Sequence, residues 1–518
     1  MNVQLLFLPF FAALALISLS ILGRSRDLIS IIFSFAPFLI LLALLNEGSE
    51  FLYHYDLSKI ITLSFCFRID GIAAFFGILI TLAAPIVTIL VYRQELSERF
   101  LSRFHPLFHT LLGGVLIIIF SGDFISFIAG WEIINWSSYF LLMLSKSENR
   151  RGLLRYLIAT QISTHALLLG SLILYSHTGS FLFSGNESIL KTLSEETQIL
   201  LLLLFSSAFL VRMGALPVLE SYSRILQDAP RALSLFLAVA LSKIPLYGLF
   251  LFSFYFVFDH FDASDKVRQL YQYFLALVGV GTVLFGYYKT LKERGGVGFL
   301  PSLSIAEGGY LIVSLSSLSY YSFSGFFLLT LNHTLSLTLL YIVWLCPHHL
   351  WYKSHEPTSK GRRNFSLSSF IGVFSLLGIP PFFGFSLKIM LLESLVYENL
   401  FIIGALVLLG YAMAWWLLFH QARIALEQIR AKEFQVSEPQ SFVGAIVAGV
   451  ILTLGIFPII QQKIMETLFE SIGWFGLSWA PFPLFSALTY SMVPYLGATV
   501  VLSILSLVWI SFLRRKWA

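Results

Sequence analysis

Long apolar runs, separated by short polar and often basic connections, fill this chain of 518 residues. Runs of roughly 18 to 23 residues are each long enough to cross a hydrocarbon core of about 30 Å as helices. In order they predict spans at 3–22, 28–45, 70–92, 108–121, 124–144, 153–175, 199–216, 230–254, 268–288, 297–318, 322–345, 366–396, 400–420, 441–460 and 491–513. The fold class is therefore all-α, a polytopic membrane protein of about 15 transmembrane helices. The run Val3–Leu22 has no basic residue ahead of it and no small-residue cleavage site, so it reads as a first span and not as a removed signal peptide. Between spans, 46–69 alternates like a short hairpin with Asp56-Leu57-Ser58 as its turn. The stretch 346–364 is basic. The spacing of Ile424, Leu426 and Ile429 predicts a helix along the inner interface, and 464–489 reads as a segment resting at the outer one.

Two apolar runs are interrupted. Pro217 breaks the seventh span, and Pro380-Pro381 with Gly384 break the twelfth, because proline donates no backbone hydrogen bond. An odd offset of five helices between the breaks predicts two inverted five-helix repeats with broken helices 7 and 12. The expected division is 1–69 as N-terminal helices and outside hairpin, 70–440 as the core of two repeats, and 441–518 as C-terminal helices.

Charge sharpens the picture. Only 12% of residues are charged, against about 25% in soluble domains. Of the 33 basic residues, most fall in loops on one side of the predicted spans, which the positive-inside rule makes cytoplasmic. Lys59, Arg68, Lys191, Lys266, Arg268 and Lys463 fall on the other. This arrangement predicts an N-terminus outside, a C-terminus in the cytoplasm, and a bacterial inner membrane as the setting. Arg212, Lys243 and Lys388 fit in no loop. Each would cost about 2.5–3.5 kcal/mol facing lipid, so each is expected to face protein or internal water. Glu132, His165, Glu307 and His333 lie in other spans, and Glu220 and Asp228 in the polar break after Pro217. Such a row of ionisable groups suits transport of a charged species better than anchoring.

Other chemistry is thin. Two isolated cysteines, Cys66 and Cys346, cannot hold an iron–sulfur cluster or a zinc site, so no cofactor is expected in this chain. No metal-binding motif is present, and His54, His105, His109 and His420 are read as interfacial, solvated or capping groups. The net charge of +5 follows from the basic loops without nucleic acid as a partner.

Five stretches carry a resemblance: WEIINWSSYFLLM (131–143), RMGALPV with QDAPRALSLFLAVALSKIPLYGL (212–249), SIAEGGYLIVSLS (304–316), LNHTLSLTLLY (331–341) and SLLGIPPFFGFSLKIMLL (375–392). In this order and spacing the chain resembles the antiporter-like subunits shared by respiratory complex I, Mrp-type cation/proton antiporters and membrane-bound hydrogenases. The resemblance implies that Glu132 pairs with Arg212 and that the pair tunes Lys243. A proton would then pass by way of Glu307 and His333 towards Lys388, with His165, Glu220 and Asp228 as auxiliary candidates. Other membrane subunits and a soluble catalytic partner are expected, with protons as cargo and Na+ or K+ left open as further ions. Three places depart from the family pattern: Arg212 stands where lysine is usual, Leu337 where the central span usually has a lysine, and the small residues Gly295-Gly296-Val297-Gly298 where the lead into the tenth span is usually polar. Arginine stays charged, so it can bind a carboxylate but not relay a proton. Two other readings stay open, the membrane half of a proton-driven inorganic-carbon uptake system and a structural subunit that no longer conducts.

Overall fold

A computed structural model describes residues 9, 12, 24–46, 51–56, 64–93, 97–144, 150–183, 192–254, 264–293, 298–344, 368, 370–430 and 438–470. The predicted first and last spans, the 346–364 loop and most of 464–489 lie outside the described residues. What is described is helical apart from one hairpin. Among the described residues nine helices are long and apolar enough to cross a membrane, or ten if one bent pair counts as a single span. The chain forms two compact units, Met1–Leu318 and Ser319–Ala518.

In the first unit α1 is Arg24–Asn46, α2 Gly71–Arg93, α3 Glu98–Phe120, α4 Phe124–Leu144, α5 Arg150–Thr178 and α6 Glu195–Met213. The short α7 is Leu219–Asp228, followed by α8 (Arg231–Phe252), α9 (Asp265–Lys292) and α10 (Phe299–Ser316). Helix α10 is buried along its whole length. By contrast α5 exposes Leu154, Ile158, Ile162, Leu169 and Leu172, and α9 exposes Leu270, Leu277 and Phe285. Apolar side chains turned outward on the peripheral helices suit contact with lipid, while α8 and α10 occupy the interior.

Several helices start earlier than hydropathy alone indicates. The run expected at 108–121 belongs to a helix beginning at Glu98, because the Ser97 hydroxyl accepts from the Phe100 amide at 3.3 Å and caps it. Phe104 and Phe108 then extend the buried face below the apolar run. Ser194 and Ser264 cap α6 and α9 in the same way. The expected 108 start therefore misplaces His105 and His109, which sit inside α3 and are fully buried instead of interfacial.

The hairpin is present, with β1 (Phe51–Asp56) antiparallel to β2 (Ser64–Ile69) and Phe51 opposite Ile69. Asp56 is still paired, with Ser64, so the connection begins after it and not at Asp56. Strand β2 docks on the α3–α4 corner. The Gly122 amide donates to Cys66 O at 2.8 Å, and Phe183 N to Gly122 O at 3.0 Å. Asp123 accepts from the amides of Cys66 and Ser126 and from the Ser126 hydroxyl. Burial pushes the Asp123 carboxyl up, and these bonds oppose the push. Asp70 accepts from the Ala73 amide at 2.7 Å, at the start of α2.

In the second unit α11 is Tyr320–Trp344. A helical stretch over 370–377 breaks, and the chain resumes as α12 (Gly384–Tyr397), α13 (Phe401–Arg430), α14 (Glu438–Ile456) and α15 (Pro458–Glu470). The segment from 421 expected to lie along the interface instead continues α13 through Arg430. Helix α15 turns 90° from α14.

Candidate functional site

The two helix breaks share one backbone design. Gly214 and Gly378 both sit in the left-handed region, at φ 80° and 69°, and each is followed three residues on by a proline with a cis peptide before it. At the first break Gly214 N reaches Val211 O at 3.1 Å and Ala215 N reaches Leu210 O at 3.0 Å. At the second, Gly378 N reaches Ser375 O at 3.1 Å and Ile379 N reaches Phe374 O at 3.0 Å. Glycine suits this end because its φ is open to positive values, and the proline cannot carry the helix further.

Arg212 lies in the last turn of α6, 2% exposed. Its Nη1 donates to the Tyr156 hydroxyl at 2.8 Å, its Nη2 lies 3.5 Å from Ser138 Oγ, and its guanidinium stands 5.5 Å from the centroid of the Tyr156 ring. The expected pair with Glu132 is not formed. Glu132 accepts from Trp136 Nε1 at 3.0 Å, Asn135 Nδ2 at 3.3 Å, Gln161 Nε2 at 3.3 Å and the Thr164 hydroxyl. Glu132, Asn135 and Ser138 follow one another at helical spacing on α4, facing Thr164 and Tyr156 on α5. Six residues of α4 separate Glu132 from the serine that Arg212 touches, about 9 Å along the axis. Polar side chains fill that interval.

A cavity of ≈ 270 Å³ adjoins this ladder, lined by Tyr156, Thr160, Arg212 and Tyr222 and, over most of its surface, by apolar groups such as Ile158, Ile162 and Val211. Tyr156→Phe removes the Arg212 bond, worth about 1.5–3 kcal/mol for a charged donor. The purified chain is expected to melt several degrees lower; an unchanged melting temperature would show that Ser138 alone holds Arg212.

Lys243 is fully buried. It follows a π-helical turn, Phe236–Leu241, closed by Ser242 N to Leu237 O at 3.1 Å. The wider turn leaves Ala238 O accepting the hydroxyls of Ser242 at 2.7 Å and Ser304 at 3.2 Å. Lys243 Nζ donates to Ser242 Oγ at 3.2 Å. π turns inside α-helices frequently mark functional positions. Ser304 ties α10 to this turn, and Glu307, one turn further along α10, receives the Tyr287 hydroxyl. Glu307 is 6% exposed.

In the second unit His333 is 4% and Lys388 7% exposed. Lys388 Nζ stands 4.4 Å from the Tyr411 ring centroid, a cation–π contact. Its aliphatic chain packs into the crook of the break, where a Cβ on Gly378 would lie 2.8 Å from Lys388 Cδ. Next to His333, Asn332 Oδ1 accepts from Ser375 Oγ at 2.6 Å and Ser336 Oγ at 3.3 Å, so α11 is bonded to the helical turn just before the break.

Residues 121–414 match the sequence pattern of a family described as NADH:quinone oxidoreductase/Mrp antiporter, TM. The chain belongs to that family. It is 28% identical over 269 residues to NADH-quinone oxidoreductase subunit N of Anoxybacillus flavithermus, a stretch covering 50% of this chain and 54% of that protein. With F(420)H(2) dehydrogenase subunit N of Methanosarcina mazei it shares 23% identity over 416 residues, 75% of this chain and 82% of the relative. Its fold is that of a chain in the membrane-bound sulfane sulfur reductase, an archaeal respiratory membrane complex, with a TM-score of 0.79, 19% identity, and 90% and 96% of the two chains covered.

The buried positions of Arg212, Lys243, Glu307, His333 and Lys388 agree with ionisable groups kept from lipid. The other candidates lie elsewhere. His165 is exposed on α5, its Nδ1 2.7 Å from Gln161 O. Glu220 and Asp228 are exposed on α7, Glu220 bound to Arg224. Among the described residues no group of three or more metal-ligating side chains could hold an ion. Sequence reasoning missed Tyr156, Ser138 and Asn135 as partners of the buried charges. Their spacing carried the signal, since Asn135 and Ser138 stand three and six residues after Glu132.

Proposed function

We propose that this chain is a proton-translocating, antiporter-like subunit of a multi-subunit membrane complex, coupling proton movement to the reaction or transport of its partners. The observation that carries the proposal is Lys243, buried on a span of 22 residues that meets no lipid. Burial makes the ammonium costly, so its charge responds to nearby carboxylates and waters. Glu132 and Arg212 would set that response by closing or opening their separation along the polar ladder. Glu307, His333 and Lys388 would take the proton onward. The matching turns at Gly214 and Gly378 support two inverted repeats, within a full set of about 15 spans. Other membrane subunits and a soluble catalytic partner would complete the device. The basic loops support an N-terminus outside and a C-terminus in the cytoplasm of a bacterial inner membrane. Protons are the proposed cargo, with Na+ or K+ as the ions to test beside them.

The test is the complex brought down with the tagged chain and reconstituted in vesicles under an imposed pH gradient and membrane potential. Lys388→Ala is expected to lower proton flux at least tenfold with the complex assembled; flux at the wild-type level would sink the pathway beyond His333.

A further inference from the structure

A second row of titratable groups lies between α1 and α3, apart from the Glu132–Lys243 region. Arg26 Nη2 stands 2.8 Å from Asp27 Oδ1 and 3.1 Å from Glu98 Oε2. Asp27 Oδ1 is 3.0 Å from His105 Nε2. His105 Nδ1 is 2.9 Å from Ser30 Oγ, which is 3.0 Å from His109 Nε2. Arg26, Ser30, His105 and His109 are all fully buried, Asp27 is 3% exposed, and only the Glu98 side chain, 70% exposed, meets water. Neither His109 Nδ1 nor His105 Nε2 makes a hydrogen bond within the chain, so His105 meets Asp27 at ion-pair distance only.

The tautomers follow from the partners. Beside a carboxylate, His105 Nε2 carries the hydrogen, so Nδ1 accepts from the Ser30 hydroxyl. The serine oxygen then accepts from His109 Nε2–H, and His109 Nδ1 is left as a bare lone pair inside the protein. A row that ends on a nitrogen able to take up a proton is more than a tie between helices. Nor does a metal ion suit the row, because the Arg26 guanidinium already occupies its carboxylate.

We propose that Glu98, Asp27, His105, Ser30 and His109 form a proton-conducting branch between the basic side of the membrane and the level of Lys243. A proton arriving on His109 Nδ1 releases the hydrogen on Nε2 to Ser30 Oγ. Ser30 passes its own hydrogen to His105 Nδ1, and His105 passes the one on Nε2 to Asp27. One proton enters, one reaches the carboxylate, and rotation of the rings and hydroxyl resets the row; with the hydrogens reversed it runs the other way. Arg26 cannot relay, but it holds Asp27 and Glu98 on one nitrogen with their oxygens within about 6 Å, a gap one water spans.

The inner end lies near Lys243. Phe108 of α3 packs on Phe236 of α8 with centroids 4.9 Å apart, and the Tyr247 hydroxyl of α8 donates to Ile119 O of α3 at 2.8 Å. Both contacts put Lys243 level with residue 115 of α3, six residues beyond His109 and about 9 Å along the axis. The proposed branch crosses that interval through one or two waters. Other polar groups at this end of the bundle are Ser34 and Thr88, whose hydroxyls are 2.9 Å apart.

The branch rests on the proton-transfer reading above, and the experiment separates the two. Proton flux through the reconstituted complex is measured for Ser30→Ala, which removes one oxygen, for His109→Phe, which keeps ring volume, and for Lys243→Ala. The first two are expected to lose at least tenfold in flux per assembled complex. Infrared difference spectra of the complex on acidification should show imidazolium bands that His109→Phe removes. Wild-type flux in either assembled variant, with Lys243→Ala inactive, overturns the branch and leaves the main reading standing. If His109→Phe does not assemble, Ser30→Ala decides the matter. Wild-type flux in Lys243→Ala removes both.

Discussion

Lys243→Ala is expected to abolish proton flux through the assembled complex, by roughly a hundredfold or more, the range typical of removing a positioned proton-transfer group. Assembly should survive, because the alanine leaves the π turn and the Ser242 and Ser304 bonds to Ala238 O in place. The companion variant Lys243→Arg keeps a cation at the position but cannot release its proton at physiological pH. It is therefore expected to be as inactive as Lys243→Ala. Flux near wild type in Lys243→Arg would mean that the site needs only a fixed charge, and the loading and release of a proton at Lys243 would be wrong.

Gly384→Ala is expected to prevent the second unit from folding as described. A Cβ at this position would run into Ser375 O and lie 3.0 Å from Asn332 Nδ2. The first clash is with backbone that carries the broken helix, so neither side can yield cheaply, and the loss should exceed the 1–3 kcal/mol typical of overpacking. Recovery of the complex from membranes should collapse, with a lowered melting temperature in whatever is recovered. Gly404→Ala is the control. Nothing lies within 4 Å of the Cβ it would add on α13, so it should be neutral. Equal recovery of both variants would refute the close crossing at Gly384.

The fold was legible where hydrophobic length decides, and least so at the helix ends. Phe124–Leu144 was read to the residue because polar groups bound it on both sides. The start of α3 was read ten residues late, because an apolar window cannot see a Ser97 cap followed by a helix whose early turns bury Phe104 and His105. That error hid the histidine row, which looked interfacial only while the helix was taken to begin at 108. Of the candidate site, counting charges against span length found Arg212, Lys243 and Lys388 and their burial. It could not find what Arg212 touches, since Tyr156 and Ser138 reach it from two other helices, and a single sequence contains no distance between helices. His165 was drawn in by its position within a span; the face of α5 on which it lies was not decidable from an apolar run with no clear stripe.

The docking of β2 ties three chain segments together at the end of the bundle away from the basic loops, through main-chain bonds at Cys66, Gly122 and Phe183 and through the buried Asp123. A latch made of backbone cannot be loosened by changing one side chain. Slow exchange of the Gly122 and Phe183 amides with deuterated solvent is the natural consequence, while at the opposite end α7 buries Leu219, Tyr222 and Ile225 and turns Glu220, Arg224 and Asp228 to the outside. Any opening within the first unit is thus expected away from this latch.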